Sequence, residues 1–151
     1  MIEINFENVA KGIDAVNQKS ATGCVSQNSE IYLVTQPHEL NILYKRLRKE
    51  GPDINFEEDY VFGTFSGVQG YNSRLEISAI GKGNNGLGIL VDQTFGPGGL
   101  VPCPTCYPYH IVRVNKEKLD HEVGGILLLT RILNPYQEHE SPKEFLERVV
   151  G

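Results

Sequence analysis

The 151-residue sequence lacks any long apolar run and any long block of charge. No stretch approaches the roughly 18 consecutive apolar residues that a membrane-spanning helix needs, so we expect no membrane span. The formal net charge of -5 is spread along the chain, which argues against recognition of nucleic acid or of an anionic membrane by charge. No internal repeat, low-complexity tract or interdomain linker occurs, so we expect a single domain over residues 1–151.

Known catalytic motifs are also missing. The sequence contains no GxSxG elbow, no HExxH pair, no Walker loop and no dinucleotide-binding fingerprint. The histidines lie apart, without a serine or cysteine nucleophile at a recognisable spacing. The Gly-Pro-Gly-Gly segment at 96–99 is not followed by the lysine and helix of a phosphate-binding loop, so its glycines are interpreted as turn residues. We therefore predict that the protein is not an enzyme.

The first residues of the chain bear on its compartment. They carry acidic side chains where an export signal would have a basic start followed by an apolar run, so the chain as written has no export signal. This fits a cytoplasmic protein. It equally fits an exported or cell-surface protein whose leader was trimmed and replaced by Met1, and both compartments stay open.

The spacing of apolar residues predicts a domain rich in β-structure. Glycines and asparagines at 81–86 tolerate positive φ, so the two strands that flank them should form a hairpin. Because short turns join most strands, we expect an α+β fold whose mostly antiparallel sheet is rolled into a barrel or sandwich. Strands are predicted at 31–34, 60–65, 74–80, 86–93, 109–114 and 124–132.

Two helices complete the predicted fold. The main helix, about 37–50, begins at Pro37 and should end before Gly51 and Pro52. A short C-terminal helix, about 142–150, is indicated by the capping box that Ser141 and Glu144 form. The apolar face of the main helix consists of Leu40, Leu43, Tyr44 and Leu47, and the basic cluster near its end, interpreted as cations favoured by the helix dipole, consists of Lys45, Arg46, Arg48 and Lys49.

The segment at 96–110 holds a CxxC pair among glycines and prolines. Cys103 and Cys106 have the spacing of a redox pair, but a strand follows them where redox versions have a helix N-terminus. With His110 and Cys24 they could instead complete a structural zinc site, or they could form a small disulfide. We expect no cofactor, and a CxxC thiol-redox protein and a small zinc-binding domain are kept as alternatives.

Aromatic and apolar residues of the loops are candidates for a recognition surface, because tyrosine buries a large area at a low entropy cost. The alternative is that they fill the end of the barrel. The candidate residues are Tyr71, Phe95, Leu100, Tyr107 and Tyr109.

Several stretches carry a family likeness: PHELNILYKRL, PDINFEEDYVFGTFSGVQGYNSRLEI, the cysteine loop and PYHIVRVNK. Over roughly residues 31–119 they resemble the C-terminal domain of the PrcB family, named after a protein that associates with and stabilises a secreted bacterial protease. Two departures are Gln69-Gly70 in place of the usual glycine pair and two loop cysteines where relatives often show one. The resemblance implies a noncatalytic protein-interaction domain whose partner is a bacterial protease or another protein, with loops 70–73 and 95–109 as the contact surface.

Overall fold

The computed structural model describes residues 1–15, 30–66, 73–95, 107–119 and 125–151. These residues contain eight β-strands, two α-helices and one short 3-10 helix. The elements in chain order are β1 (Ile2–Glu3), β2 (Glu7–Gly12), β3 (Glu30–Val34), α1 (Pro37–Lys45), β4 (Asp59–Phe65), β5 (Ser73–Gly83), β6 (Gly86–Phe95), β7 (Tyr109–Asn115), the 3-10 helix (Lys116–Lys118), β8 (Ile126–Leu133) and α2 (Pro142–Val150).

The described strands form two four-stranded sheets. Sheet A has the order β1-β5-β6-β8, and sheet B has the order β2-β7-β4-β3. Neighbouring strands are antiparallel except β6 and β8, which run parallel. Apolar side chains of both sheets meet in one core cluster, among them Ile77 and Ile89 of sheet A and Phe62 and Val112 of sheet B. The α+β prediction is therefore confirmed, and the described sheets form a sandwich and not a closed barrel.

All six predicted strands are present, and their observed bounds differ from the predicted ones by at most three residues. The hairpin between β5 and β6 is also present, with Gly83 opposite Gly86. Gly86 has a φ of +115°, a conformation that residues with a Cβ rarely adopt, which explains why glycine stands at this turn. Strands β1 and β2 were not predicted. The sequence of β2, ENVAKG, shows no clear alternation, and the strand is held by its pairing with β7.

A bulge in β5 changes which face its side chains occupy. The pairing of β5 with β6 shifts register between Ile77 and Ala79. Leu75 and Ile77 therefore point into the core between the sheets, whereas Ala79 packs with α2 on the opposite face of sheet A. The alternation that directs Leu75 and Ile77 into the core therefore ends at the bulge.

Helix α1 is shorter than predicted. It begins at Pro37 as expected but ends at Lys45, and Arg48 then adopts a left-handed conformation with φ of 54°. Arg48 thus takes the place in the helix end that was predicted for Gly51. The predicted apolar face is confirmed, because Leu40, Leu43 and Tyr44 of the helix are buried.

Arg46 is the C-cap residue of α1 and follows the helix directly. Its side chain is buried, with Nη1 2.8 Å from Oε2 of Glu30. Its guanidinium lies over the ring of Phe65, 4.0 Å from the ring centre. Arg46 thus lies at the end of α1, as interpreted for the basic cluster, and its buried guanidinium joins the helix to sheet B.

Helix α2 covers the outer face of sheet A. The side chain of Ser141 accepts a hydrogen bond from the backbone N–H of Glu144, which confirms the predicted cap. Glycines make room for the helix: a Cβ on Gly88 would lie 2.5 Å from Cγ1 of Val150 and 2.7 Å from Cδ1 of Leu146. Neither helix of the described chain is long and apolar enough to cross a membrane.

Candidate functional site

His110, the predicted metal ligand of β7, is 1% exposed and uses both ring nitrogens. Nδ1 lies 2.9 Å from the backbone nitrogen of Ile77, which has an N–H to donate, so Nδ1 must be the acceptor. Nε2 lies 2.7 Å from Oδ1 of Asn8 and must therefore carry the proton. The geometry fixes a neutral imidazole that ties sheet B to the bulge of sheet A, with no lone pair left for a metal.

The surroundings of His110 agree with a neutral ring. Burial, the largest cause, and the positive charge of Lys11 lower the pKa of His110 to about 4, although the negative charge of Glu76 acts in the opposite direction. The other predicted ligands, Cys24, Cys103 and Cys106, lie outside the described residues. Within the described residues, no three side chains of histidine, cysteine, aspartate or glutamate are grouped as a metal site would require.

Two of the three tyrosines predicted to contact a partner, Tyr107 and Tyr109, lie in the core. Tyr109 is 1% exposed, and its ring stacks on that of Phe65 with 6.2 Å between the ring centres. The lack of a side chain at Gly12 makes room for it, because a Cβ there would lie 2.8 Å from the Tyr109 hydroxyl oxygen. Burial and the nearby charge of Asp14 raise the pKa of Tyr109 to about 12. Tyr107 is buried in the same cluster, so neither tyrosine offers a contact surface in this structure.

Of the three remaining residues of the predicted surface, only one belongs to the described part of the chain. Phe95 ends β6 and is half-buried, and Tyr71 and Leu100 lie outside the described residues. The described chain on either side of their loops does converge: Ser73 pairs with Phe95 in sheet A, and Nε2 of Gln93 donates to Oγ of Ser66 at 3.0 Å. The described residues that border segments 67–72 and 96–106 therefore lie at one end of the sandwich, called the loop end below.

A polar depression lies between the start of β2 and the end of β7. It has a volume of about 250 Å³, and no side chain that lines it is buried. Arg113, its central cation, already binds the carboxylate of Glu7. An open, internally neutralised depression of this kind offers no convergent set of groups to a ligand.

The strongest functional feature is β8, the last described strand of sheet A. Its register with β6 places alternate side chains on the face of β6 that points into the core, because Ile126 pairs with Leu87 and Leu128 with Ile89. Nevertheless Ile126 is 48%, Leu128 38% and Ile132 73% exposed. Sheet B therefore does not cover β8. We call Ile126, Leu128, Thr130 and Ile132 the β8 row.

The opposite face of β8 is fastened to the rest of sheet A. Leu129 packs against the apolar cluster beneath α2. Arg131 makes two hydrogen bonds to Asp92 of β6, at 2.7 Å from Nε to Oδ1 and 2.8 Å from Nη2 to Oδ2. Nη1 of Arg131 also donates to the carbonyl oxygen of Glu140 at 2.8 Å. The strand is thus held in place on one face while its other face is open.

The outer edge of β8 lacks the devices that usually prevent sheets from associating, which are charges, proline, bulges or short length. Among the other described edges, β1 has two residues, β3 has five, and β2 carries Glu7, Lys11 and a bulge. The part of β5 beyond β1 carries a bulge and Arg74. β8 has eight residues, regular pairing and no proline, and its one charged side chain is bound to Asp92. It is the unprotected edge of the described sheets.

Comparison of the chain with family models, with curated proteins and with solved structures finds no match. The candidate site therefore stands on the geometry of the described residues alone.

Proposed function

We propose that the chain is a noncatalytic protein-interaction domain and that the free edge of β8 is one of its binding surfaces. The observation that carries this proposal is the exposure of the β8 row beside an unprotected strand edge. Exposed apolar patches on folded proteins are characteristic of contact sites, since water would otherwise be in contact with side chains that are better buried.

A strand edge is suited to protein partners in particular. An extended segment that adds to the sheet gains main-chain hydrogen bonds along its length, and its alternate side chains meet the row beside the edge. Leu128 and Ile132 would provide the apolar contacts in such a complex. No nucleic acid is needed to explain this surface, because the row carries no charge.

The loop end is the place for a second kind of partner. The resemblance to the PrcB family implies association with a bacterial protease or another protein, and the predicted contacts Tyr71, Phe95 and Leu100 belong to the loops of this end. We therefore propose that a protease partner binds at the loop end, next to the C-terminal end of the β8 row, where Ile132 pairs with Gln93.

Photocrosslinking in cells tests the β8 surface. A photoreactive phenylalanine is introduced at Ile132, in the β8 row, and as a matched control at Ile42, an isoleucine of α1 that is 54% exposed. We expect a crosslinked protein band from position 132 and none from position 42. The proposal then predicts that Ile132→Lys abolishes binding of the purified crosslinked protein, whereas Ile42→Lys leaves the affinity unchanged. Absence of any crosslink at 132, or equal crosslinking at both positions, contradicts the proposal.

A further inference from the structure

The backbone of β8 offers hydrogen bonds to a further strand at defined residues. The N–H of Leu87 in β6 donates to the carbonyl oxygen of Gly125 at 3.1 Å. In a parallel pair, alternate residues of each strand direct both backbone groups towards the neighbour. The odd-numbered residues of β8 therefore bind β6, and the even-numbered residues direct their N–H and C=O groups outward. These are the residues of the β8 row, so the free backbone groups and the exposed apolar side chains belong to the same residues.

We infer that the protein that binds this edge is a second copy of the same chain, paired with it antiparallel through β8. This inference rests on the proposed function, because it names the partner of the proposed β8 surface. The two-fold axis passes through Thr130, so that Thr130 of each copy faces the other. The two sheets A then join into one continuous sheet across the axis. Association stops at the dimer, because each copy uses the only edge of its described sheets that lacks protection against further pairing.

Side chains match in this arrangement. Leu128 lies opposite Ile132 of the second copy, and Ile132 opposite Leu128, so the exposed parts of the row cover one another. On the other face, Leu127 lies opposite Leu133 of the second copy. Pairs of apolar residues and of threonines are among the favourable cross-strand pairs, and the register places both kinds at the axis.

Charge does not oppose the pairing at the axis. Arg131 is the single charged side chain of β8, and Asp92 of the same copy neutralises it. Its cross-strand neighbour would be Leu129 of the second copy, so no like charges meet. The two chains as wholes repel each other, since each has a formal net charge of -5. Self-association should therefore strengthen as salt screens this long-range repulsion.

The area available sets the strength of the contact. The exposed parts of the apolar side chains of β8 amount to on the order of 400 Å² per copy, the size of a functional patch on a monomer. This is less than the roughly 800 Å² per partner of a standard stable interface. The pairing is therefore reversible, and we expect a dissociation constant on the order of 10 μM. The C-terminal end of the β8 row lies beside the loop end, since Ile132 pairs with Gln93 and Leu133 with Thr94. The dimer contacts are made by β8 alone, so they require no residue of the predicted protease surface.

Sedimentation equilibrium of the purified full chain tests the inference over about 1–300 μM, a range chosen to bracket the expected dissociation constant. Thr130→Pro removes the outward N–H at the axis without removing a bond to β6. Leu128→Lys places a charge in the row and keeps the backbone intact. We expect each variant to weaken self-association by about 30-fold or more, and Ile42→Lys to change it by less than about twofold. Circular dichroism checks that each variant is folded. If Thr130→Pro does not fold, the self-association of Leu128→Lys alone tests the inference.

Two results would overturn the inference. One is a wild-type chain that remains monomeric at the highest concentration, and the other is a dimer that persists in Leu128→Lys. If the purified chain is monomeric while position 132 crosslinks a different protein in cells, the second copy is excluded and the proposed function stands. If position 132 crosslinks nothing and the chain is monomeric, both proposals are excluded.

Discussion

β6 and β8 are adjacent strands of similar apolar character, yet their environments are opposite. The side chains of β6 are buried from Gly86 to Gln93, between sheet B on one face and α2 on the other. β8 lies one strand further out, where α2 still covers one face but sheet B no longer covers the other. The burial of these two strands therefore depends on the layer above each strand and not on the strand's own residues.

The largest expected effect is a difference in the loss of unfolding free energy between alanine variants of Ile89 and Leu128. These residues pair with each other in neighbouring strands, Ile89 in β6 and Leu128 in β8. Ile89→Ala should lower the free energy of unfolding by about 4 kcal/mol, because it opens a cavity at a fully buried position. Leu128→Ala should lower it by less than about 1 kcal/mol, because water already reaches the side chain. Urea denaturation at low protein concentration measures both. Similar losses for the two variants would mean that β8 is covered.

The exposure of β8 could not have been predicted from its sequence. ILLLTRIL is typical of a buried strand, and its existence was predicted correctly at 124–132. Which strand lies at the edge depends on the order of strands in sheet A, and strand order arises from pairing between distant segments. The parallel pairing with β6 was missed for the same reason, since the sequence shows no βαβ unit there.

Local signals predicted the elements better than the site. Ser141 with Glu144 and the glycines of the hairpin act over a few residues, and both were predicted correctly. The pairing of Arg46 with Glu30 and Phe65 was not predicted, because both partners are far from it along the chain. Tyr109 was offered as a contact residue for the same reason, because no sequence pattern shows that Gly12 makes room for its ring.

The ion pair that ties β8 to β6 should give the next largest effect. Asp92→Ala leaves Arg131 without its carboxylate in a largely buried place and should cost about 3 kcal/mol of unfolding free energy. The exposed pair between Lys143 and Glu3, at 3.7 Å, provides the control, and Glu3→Ala should cost less than about 0.5 kcal/mol.

The double variant Asp92→Leu with Arg131→Met sharpens this prediction. Because it removes both charges and retains apolar volume, it should recover most of the loss seen in Asp92→Ala. Thermal and urea unfolding measure all three variants. A double variant as unstable as Asp92→Ala would show that the loss arises from packing and not from an unpaired charge.

Glycine substitutions compare the helix-covered face of β6 with the start of β8. Gly88→Ala should cost about 2 kcal/mol, because its Cβ would lie 2.5 Å from Cγ1 of Val150 and force α2 to shift. Gly125→Ala should be nearly neutral, since a Cβ there meets nothing within 4 Å. Unfolding free energies measure the difference, and equal costs would contradict the placement of α2 on Gly88.

The smallest expected effect is the dependence of stability on pH that arises from His110. This buried residue joins β7 to β5 by accepting a hydrogen bond from the N–H of Ile77. In the folded protein its pKa is lowered to about 4, from 6.5. Below pH 6.5 the unfolded chain therefore binds a proton that the folded protein does not, so stability falls as pH falls towards 4 and is fully present above 6.5. Between pH 7 and pH 5.5 we expect a loss of about 1 kcal/mol.

His110→Gln isolates the contribution of His110 to the pH dependence of stability, because the variant lacks the titrating imidazole. This holds even if the substitution also changes the stability at pH 7. The dependence of its unfolding free energy on pH between 7 and 5.5 should be flatter than that of the wild type by the same amount. His38→Gln, at an exposed position of α1, is measured alongside as the control variant. We expect the dissociation constant of the β8 dimer to stay unchanged between pH 7 and 5.5. The β8 row contains no titrating side chain, and His110 stays neutral in the folded protein over this range. A dimer that dissociates between pH 7 and 5.5 would instead couple the open edge to the covered core.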